Sequence, residues 1–398
     1  MIKVGSDFSG VGAFNQALNR LGIDYEEVYA CDMDKYARQT YIHNYGEPKY
    51  YPLDVYDRQI PIESLDIYMT SPPCQAFSSA GQKHGKNDKR GILFFNSLEF
   101  IEVNKPRYFI FENVKGLLSD DNGKTFSEWI NLLGGKSVNG NTILFPYQDS
   151  VPYHIYWDVL NAKDYGVPQN RERVFIVGIR NDSDNNFRFP ISERLEKSLA
   201  HIIEENIPLK YYLSKKMISG FENHNKNHND KGTGFIYKPK NKSDIANCLR
   251  ANAAICPTDN TLIDDICRYG FYSCANVTLC DSCEDGSNYE LQECFNNKSL
   301  NNTIKKSRFE LGEQIFIDSH NETIHDYAKT ITTRVDASNN SHLWDGYRIR
   351  KLTPRECFRL MDFPDSFTWT CSDAQAYKQA GNSIVVNVLY KIIKNLNL

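Results

Sequence analysis

Short apolar runs alternate with helical stretches from residue 2 to about residue 180, and this alternation constrains the fold more than any other feature. The runs are rich in β-branched and aromatic residues, and the stretches between them carry apolar residues at helical spacing. This succession is typical of parallel βαβ units, so we expect a doubly wound α/β domain. Strands are predicted at 2–8, 27–31, 65–70, 107–112, 154–160 and 173–179, and helices at 11–21, 34–44 and 92–104.

The rest of the chain differs in character. Because 398 residues exceed what one compact core usually accommodates, two domains are expected. Periodicity weakens after Pro190, and residues 223–230 form a polar run that is predicted to be a solvated loop. We therefore divide the chain into a first domain at 1–189, a second at 190–345, and a C-terminal segment at 346–398 that returns to the first.

Helical signals return in the C-terminal segment. Thr353 is a candidate N-cap, Pro354 suits the first helical position, and Glu356 completes the signature of a helix start. Residues 384–396 predict a long apolar helix, which needs another element to cover it. The first domain is the expected partner of that helix.

Composition sets weaker limits on location and partners. The chain opens without a basic stretch followed by a long apolar run, and no later run is long enough to span a bilayer, so a cytosolic protein without a membrane partner is expected. Its eleven cysteines are then expected to be reduced, as buried thiols, metal ligands or nucleophiles. The net charge of −4 weighs against nucleic-acid binding, but a local basic patch would matter more than the sum.

Two turns near the N-terminus indicate a ligand that contains adenosine. The turn after the first predicted strand holds Gly10 and Gly12, which allow the backbone to approach a ligand closely, with a plain strand-to-helix turn as the alternative. Asp32 follows the second strand, where an acidic residue accepts from a ribose diol. The two turns do not separate a nicotinamide dinucleotide from S-adenosylmethionine. Asp54 lies where a third turn could meet an adenine amino group, with a helix N-cap as the alternative.

Residues 71–78 carry a candidate nucleophile. Pro72 and Pro73 fix the backbone before Cys74, which follows a predicted strand at the edge where doubly wound proteins bind ligands. A thiolate at this edge is a competent nucleophile, although an isolated cysteine is more often a small buried hydrophobe. Cys74 is therefore the candidate for covalent catalysis.

A carboxyl group and two guanidinium groups complete the candidate constellation. Glu112 ends the next predicted strand, where burial would raise its pKa and keep it protonated long enough to donate to a ring nitrogen. An N-cap or an ion pair is the alternative role. Arg171 and Arg173 lead into a later strand and are expected to face the same side. One could bind a substrate carbonyl or phosphate while the other holds Glu112 or the Cys74 loop.

Six motifs follow one another along the chain: Phe-Ser-Gly-x-Gly at 8–12, Pro-Pro-Cys-Gln at 72–75, Glu-Asn-Val at 112–114, Gln-x-Arg-x-Arg at 169–173, Leu-Thr-Pro-Arg-Glu-Cys at 352–357 and Gln-Ala-Gly-Asn-Ser-Ile-Val-Val at 379–386. In this order they resemble the motifs of the cytosine-5 DNA methyltransferases. The unmatched part, about 190–345, is where this family has its variable target-recognition region. The resemblance implies a Rossmann-like, S-adenosylmethionine-dependent methyltransferase domain with a smaller, irregular target-recognition domain.

The resemblance implies a covalent mechanism on duplex DNA. Cys74 would add to C6 of a cytosine, while Glu112 engages N3 and the exocyclic amine and Arg173 orients the ring. The adduct makes C5 nucleophilic towards the methyl group, and loss of the C5 proton then releases Cys74, leaving S-adenosylhomocysteine as the second product. The cytosine must be flipped out, because it cannot be reached inside the base stack.

The resemblance also implies a cofactor pocket. Phe8 would pack on the adenine, Asp32 would bind the ribose, and Asp54 would contact the adenine amine. Met33 stands where the family often has an aromatic residue, so less stacking is expected there. Asn382 is expected at the start of the C-terminal helix, where it would help to close the pocket. The other residues expected in the pocket are Gly10, Gly12, Val55, Pro73, Leu93 and Ser383.

The recognition region holds a candidate base contact. Residues 329–334 resemble the Thr-rich strand and loop by which many family members approach target bases. Arg334 is the candidate for reading a guanine, since bidentate contact of Arg with guanine is the commonest specific readout. A phosphate contact or a plain surface position is the alternative. The other residues expected to contact DNA are Gln75, Ser78 and Thr332.

Several cysteines fall within an insertion of this region. Cys280 and Cys283 have the spacing of a zinc knuckle, and Cys267 and Cys274 could supply two more ligands. A second tight cysteine pair is missing, even with Cys294 nearby. We therefore predict no metal and keep zinc as the alternative.

Other functions share parts of this pattern. One branch of the family acts on transfer RNA, but it typically carries Cys-Phe-Thr where this chain has Cys-Phe-Asn at 294–296 and Cys-Phe-Arg at 357–359. A catalytically silent DNA-binding module would not need a nucleophile, and an NAD-dependent oxidoreductase would not need the Pro-Pro-Cys loop. We expect a monomer in a bacterial or phage-infected cell, and a cognate restriction endonuclease is an open alternative as partner.

Overall fold

The computed structural model of the protein divides into two compact units. The first contains Met1–Ser198, Ile245–Ala254 and Pro354–Leu398, and the second contains Leu199–Asp244 and Ile255–Thr353. The structure describes residues 1–73, 92–181, 186–204, 207–231, 239–251, 262–264, 316–318, 323–325, 341–343, 349–396 and 398.

The described helices and strands are numbered along the chain. Short 3-10 helices accompany them at Lys115–Gly123, Ala162–Tyr165, Leu199–His201 and Leu209–Tyr211. The strands are β1 (Ile2–Asp7), β2 (Tyr25–Cys31), β3 (Ile67–Thr70), β4 (Tyr108–Val114), β5 (Ser137–Val138), β6 (Asn141–Thr142), β7 (Tyr153–Asn161), β8 (Glu172–Arg180), β9 (Leu262–Asp264), β10 (Phe316–Asp318), β11 (Thr323–His325), β12 (Ser341–Leu343) and β13 (Ile349–Lys351). The helices are α1 (Ala13–Leu21), α2 (Lys35–Tyr45), α3 (Ile92–Asn104), α4 (Lys124–Leu133), α5 (Lys215–Lys231), α6 (Pro354–Leu360), α7 (Asp373–Asn382) and α8 (Val386–Lys394).

The first unit is built on an eight-stranded sheet with the order β2-β1-β3-β4-β8-β7-β5-β6. Strands β2, β1, β3 and β4 run parallel, whereas β8 is antiparallel to both β4 and β7. Because β2 and β3 lie on opposite sides of β1, the connections diverge there and a crevice is expected at the carboxyl ends of these strands. The predicted doubly wound α/β fold is confirmed.

Aromatic side chains dominate the core of this sheet. Tyr68 of β3 stacks on Phe100 of α3 with 4.1 Å between ring centroids, and Phe94 stacks on Trp129 of α4 at 4.2 Å. These side chains are buried, and aromatic residues contribute large apolar areas as well as favourable ring geometry. The packing fixes β3 and β4, whose carboxyl ends carry the candidate catalytic residues.

The C-terminal helix packs on the first unit, as the sequence predicts. Helix α8 contacts α1, and Asn387 donates a hydrogen bond to the backbone oxygen of Tyr165 at 2.6 Å. The prediction that Asn382 starts this helix is wrong: Asn382 is the last residue of α7, and α8 begins at Val386. Ser383, with φ −73° and ψ 164°, is extended and separates the two helices.

The second unit contains a helix where the sequence predicts a loop. Residues 223–230 belong to α5, so the prediction of a solvated loop is wrong. The helix is fixed by its apolar residues Ile218 and Phe221, which pack against the buried pair Leu262 and Ile349. Strands β9 and β13 pair antiparallel, and β10 pairs antiparallel with β11 and β12. Of the helices described, none combines the length and the apolar composition needed to cross a membrane.

Candidate active site

The turn after β1 has an unusual backbone that leaves room for a ligand. Phe8, Gly10 and Gly12 have positive φ angles of 54°, 55° and 84°. For Phe8 this conformation is costly, and such residues are concentrated at functional sites. A Cβ atom at Gly12 would lie 2.3 Å from the ring of Tyr45, so only glycine fits there. At Gly10 the nearest atom would be 3.9 Å away, so a ligand can approach the backbone.

The turn after β2 brings a carboxylate to this backbone. Asp32 accepts hydrogen bonds from the amides of Gly10 and Asp34, both at 2.8 Å. Burial raises the pKa of Asp32, and these amides oppose the rise. Each carboxylate oxygen keeps a further lone pair for a ligand hydroxyl. Gly10 and Asp32, predicted separately from the sequence, thus lie in direct contact.

The third turn presents a second carboxylate. Asp54 is half-buried and accepts from the amide of Tyr56 at 3.0 Å, an Asx turn rather than a helix cap. Its neighbour Val55 is buried. These turns place two carboxylate acceptors beside the open backbone of Gly10. Such acceptors suit an adenosine, which offers a ribose diol and an amino group as donors.

The remaining predicted pocket residues differ in exposure. Met33 is 78% exposed and contributes no enclosed surface. Leu93 packs on the edge of the core, Ser383 is buried, and Pro73 and Asn382 are exposed. Only some of the predicted pocket residues are therefore buried in this structure.

Glu112 forms an ion pair with Arg173 at the carboxyl end of β4. Arg173 lies opposite Val114 in the antiparallel β4–β8 pair, so its side chain shares a sheet face with Glu112. The Nε atom of Arg173 is 3.1 Å from Oε1 of Glu112, and the two side chains are 17% and 10% exposed. Burial raises the pKa of Glu112, while Arg173 and Arg171 lower it. The carboxyl group is thus drawn towards its protonated form, and Arg173 holds it from one side.

Arg171 makes a different set of contacts. Its guanidinium is buried and donates to the backbone oxygens of Ser383 at 2.7 Å, Leu249 at 2.9 Å and Gly381 at 3.1 Å. Burial lowers the pKa of Arg171 to about 10. The two arginines therefore differ in their contacts: Arg173 contacts Glu112 and the backbone oxygen of Glu172, whereas Arg171 contacts Cys248 and three backbone oxygens. That one of them binds a substrate carbonyl or phosphate stays a prediction.

The chain that leads to Cys74 is fastened beside Glu112. The side-chain amide of Asn113 donates to the backbone oxygen of Pro72 at 3.3 Å, and its oxygen accepts from the amide of Val114 at 2.8 Å. Several predicted site residues lie outside the described residues. They are Cys74, Gln75, Ser78, Thr332, Arg334 and the cysteines at 267, 274, 280, 283 and 294.

A comparison with known families decides the affiliation. The model of the C-5 cytosine-specific DNA methylase family matches residues 2–397. The chain belongs to this family. The resemblance inferred from the motifs is thereby confirmed.

Known relatives of this methylase agree with that affiliation. The type II methyltransferase M.HpaII of Haemophilus parainfluenzae is 31% identical over 385 residues, which cover 95% of this chain and 84% of the relative. The orphan methyltransferase M.SPRI of Bacillus phage SPR is 30% identical, with 99% and 97% covered. The crystal structure of the S. pombe Dnmt2 methyltransferase has a TM-score of 0.62 at 18% identity, with both chains fully covered, and shows the same fold.

A buried ion pair in this methylase was not predicted. Asp7 ends β1, and its Oδ2 is 2.9 Å from Nη1 of Arg58, with the two side chains 0% and 1% exposed. The hydroxyl groups of Tyr29 and Tyr68 donate to Asp7 at 2.6 Å and 2.5 Å. Burial raises the pKa of Asp7, and Arg58 opposes that rise most. The acidic end of an apolar strand was the available signal for Asp7, but nothing in the sequence marks Arg58.

A segment from the middle of the chain also belongs to the methylase unit. Residues 245–251, here the bridging segment, pair with the loop before β8: the amide of Ala246 donates to Pro168 at 2.8 Å. Its Leu249 amide donates to the side chain of Gln169 at 3.1 Å. A Cβ atom at Gly381 would lie 2.2 Å from the oxygen of Arg250, so this close approach requires glycine. The segment thus adjoins both Arg171 and the turn after α7.

Proposed function

We propose that the protein is an S-adenosylmethionine-dependent enzyme that methylates C5 of a flipped cytosine in a specific sequence of double-stranded DNA. One observation carries the proposal: the buried Glu112 carboxyl is paired with Arg173, and Asn113 fastens the chain two residues before Cys74 at the same strand end. A carboxyl with a raised pKa beside the loop of a candidate nucleophile is the arrangement that activation of a pyrimidine needs.

The chain's own residues account for activation of the base. The Cys74 thiolate adds to C6 of cytosine, forming a carbon–sulfur bond. Glu112 in its protonated form donates to N3, so the electrons displaced from the C5–C6 bond are stabilised in the ring. Arg173 holds the Glu112 carboxyl through Nε and would orient the ring oxygen through the second N–H of a terminal nitrogen, beside its contacts with Glu172 and Cys248. After methylation, loss of the C5 proton to water restores the C5–C6 double bond and expels Cys74 as a thiolate, and the N3 proton returns to Glu112.

The three turns have the acceptors to hold the cofactor. Asp32 would accept from the ribose hydroxyls, Asp54 from the adenine amino group, and the Gly10 backbone would approach the amino-acid part. S-adenosylmethionine supplies the methyl group when bound. Arg171 acts indirectly, because its hydrogen bonds fix the backbone at Gly381 and Ser383, next to the proposed pocket.

We also propose the setting of the reaction. The protein acts as a cytoplasmic monomer on duplex DNA, with Arg334, Thr332, Gln75 and Ser78 as contacts to it. The curated relatives are named type II and orphan methyltransferases, which supports a restriction-modification or phage setting in which a cognate endonuclease is the candidate partner.

Covalent trapping tests the proposal. Duplex DNA with 5-fluorocytosine at the target position should form a stable adduct with the native protein and S-adenosylmethionine, because fluorine at C5 blocks the release of Cys74. The Cys74→Ser variant should form none. Bisulfite sequencing of DNA from expressing cells supplies the target sequence for the duplex. Labelling of transfer RNA but not of DNA would overturn the choice of substrate, and a native protein that methylates neither would overturn the function.

A further inference from the structure

One side chain from α2 joins the turns of the proposed cofactor pocket. Arg38 is half-buried, and its Nη1 donates to the backbone oxygens of Asp32 at 3.2 Å and Pro52 at 2.9 Å. Its Nη2 donates to the backbone oxygen of Tyr51 at 2.8 Å. A single guanidinium therefore connects the Asp32 turn to the backbone just before Asp54.

Tyr51 extends this connection to the turn after β1. Its ring centroid is 3.7 Å from Cζ of Arg38, which is a close cation–π contact. Its hydroxyl is 3.1 Å from the hydroxyl of Ser9, whose amide donates to the backbone oxygen of Cys31 at 3.0 Å. Through Arg38 and Tyr51, all three turns are held in one arrangement.

We propose that Arg38 is a positioning residue for the adenosine half of S-adenosylmethionine. The inference rests on the proposed function. Asp32 and Asp54 accept from ribose and adenine together only when the separation of their carboxylates matches the nucleoside. Because Met33 is 78% exposed and offers no aromatic ring, the nucleoside loses one stacking partner there and depends more on these two carboxylates. The contacts of Arg38 set the separation between the Asp32 turn and the Asp54 turn.

Arginine suits this role for a chemical reason. Its planar guanidinium carries five N–H donors in a fixed fork and can serve several carbonyl oxygens while it stacks on a ring. A lysine would keep the charge and the cation–π contact but offers one compact ammonium group. A methionine of similar length would keep the packing and lose every donor.

The inference is tested by binding and kinetics of Arg38→Met. The Kd for S-adenosylhomocysteine and the KM for S-adenosylmethionine should rise by about tenfold, the equivalent of one lost charge-assisted hydrogen bond. The kcat and the KM for duplex DNA should stay at their native values, because Arg38 touches neither the base-activating residues nor the sheet edge at β4. Arg38→Lys should recover part of the affinity.

Arg180→Met is the matched control. Arg180 also clamps a backbone oxygen, that of Lys105 at 2.6 Å, but at the end of β4 away from Glu112, so its loss should leave S-adenosylhomocysteine binding unchanged. A native Kd for S-adenosylhomocysteine in Arg38→Met would overturn this inference and leave the proposed function standing. An equal loss in Arg180→Met, or a joint fall of kcat and DNA affinity in Arg38→Met, would also overturn it, by showing general destabilisation. A native protein that does not bind S-adenosylhomocysteine would overturn the proposed function as well.

Discussion

Two carboxyl–guanidinium pairs lie at the carboxyl ends of parallel strands in the same sheet, and they differ in how far they are closed. Asp7 and Arg58 are 0% and 1% exposed, and two tyrosine hydroxyls donate to Asp7 as well. Glu112 and Arg173 are 10% and 17% exposed. Burial raises the carboxyl pKa in both pairs. The comparison teaches that a raised pKa alone does not mark a catalytic group. Two tyrosine hydroxyls and Arg58 surround Asp7, whereas Arg173 is the one partner of the Glu112 carboxyl within the described part of the chain.

The largest effect is expected from Glu112→Gln, which tests the Glu112–Arg173 pair. The amide cannot deliver a proton to N3, so the methylation rate should fall by about 10²- to 10⁴-fold. Thermal unfolding should change little, because the amide fills the same space and its oxygen can still accept from Nε of Arg173. Methyl transfer to DNA, measured beside melting curves, checks both halves. A variant that turns over at close to the native rate would contradict the role of Glu112.

Asp7→Asn tests the Asp7–Arg58 pair and should lower the stability of the fold. Removing the carboxylate leaves the buried Arg58 charge without its partner, which costs about 3–5 kcal/mol in the free energy of unfolding. Denaturant unfolding measures this loss. The double variant Asp7→Asn/Arg58→Met should recover part of it, because no unpaired charge remains. At a temperature where the single variant is folded, its kcat should stay within a fewfold of native; a loss as large as that of Glu112→Gln would erase the contrast.

Arg173→Met sharpens the electrostatic side of the comparison. The Arg173 guanidinium opposes the effect of burial on Glu112, so its loss should raise the pKa of Glu112 further. The protonated donor then persists to higher pH, and the alkaline limb of the kcat/KM profile should move upwards while the maximal rate falls. Lys115→Met is the control, since Lys115 pairs with Glu172 at the surface and should leave the limb in place. A downward shift would refute the assigned electrostatics.

The smallest effect is expected from Tyr68→Phe, a change next to the Asp7–Arg58 pair. It removes one hydrogen bond to the Asp7 carboxylate and should lower the free energy of unfolding by about 1–3 kcal/mol. Methylation by the folded protein should not change. Tyr36, an exposed residue of α2, provides the comparison variant Tyr36→Phe, for which no change in unfolding is expected. Equal melting curves for the two variants would show that Asp7 gains nothing from Tyr68.

The sequence was informative where local pattern and tertiary environment agree. The runs that became β1 to β4 are apolar because parallel strands are covered on both faces, and their periodicity is therefore strong. Gly10 and Asp32 could be assigned to one ligand, because the carboxyl ends of adjacent parallel strands meet at one edge; their direct hydrogen bond is a finding of the structure. The pairing of Glu112 with Arg173 needed one further fact, the antiparallel register of β4 and β8.

Other features depend on contacts that local pattern does not encode. Residues 223–230 have weak helix formers, but they continue a helix that is fixed by Ile218 and Phe221 packing elsewhere. Arg58 and Arg38 lie in stretches without any motif, and their roles appear only when distant turns are brought together. The bridging segment is separated from Arg171 by more than seventy residues of chain, so no spacing rule could connect them.

The bridging segment bears on how specificity could be re-engineered in this methylase. A graft that exchanged the whole span between β8 and α6 would replace Leu249, whose backbone oxygen accepts from the buried guanidinium of Arg171. A donor sequence that did not restore this acceptor would leave a costly unpaired donor in the catalytic half. Junctions placed after residue 251 would spare it, so an exchangeable segment would be shorter than the predicted second domain at 190–345.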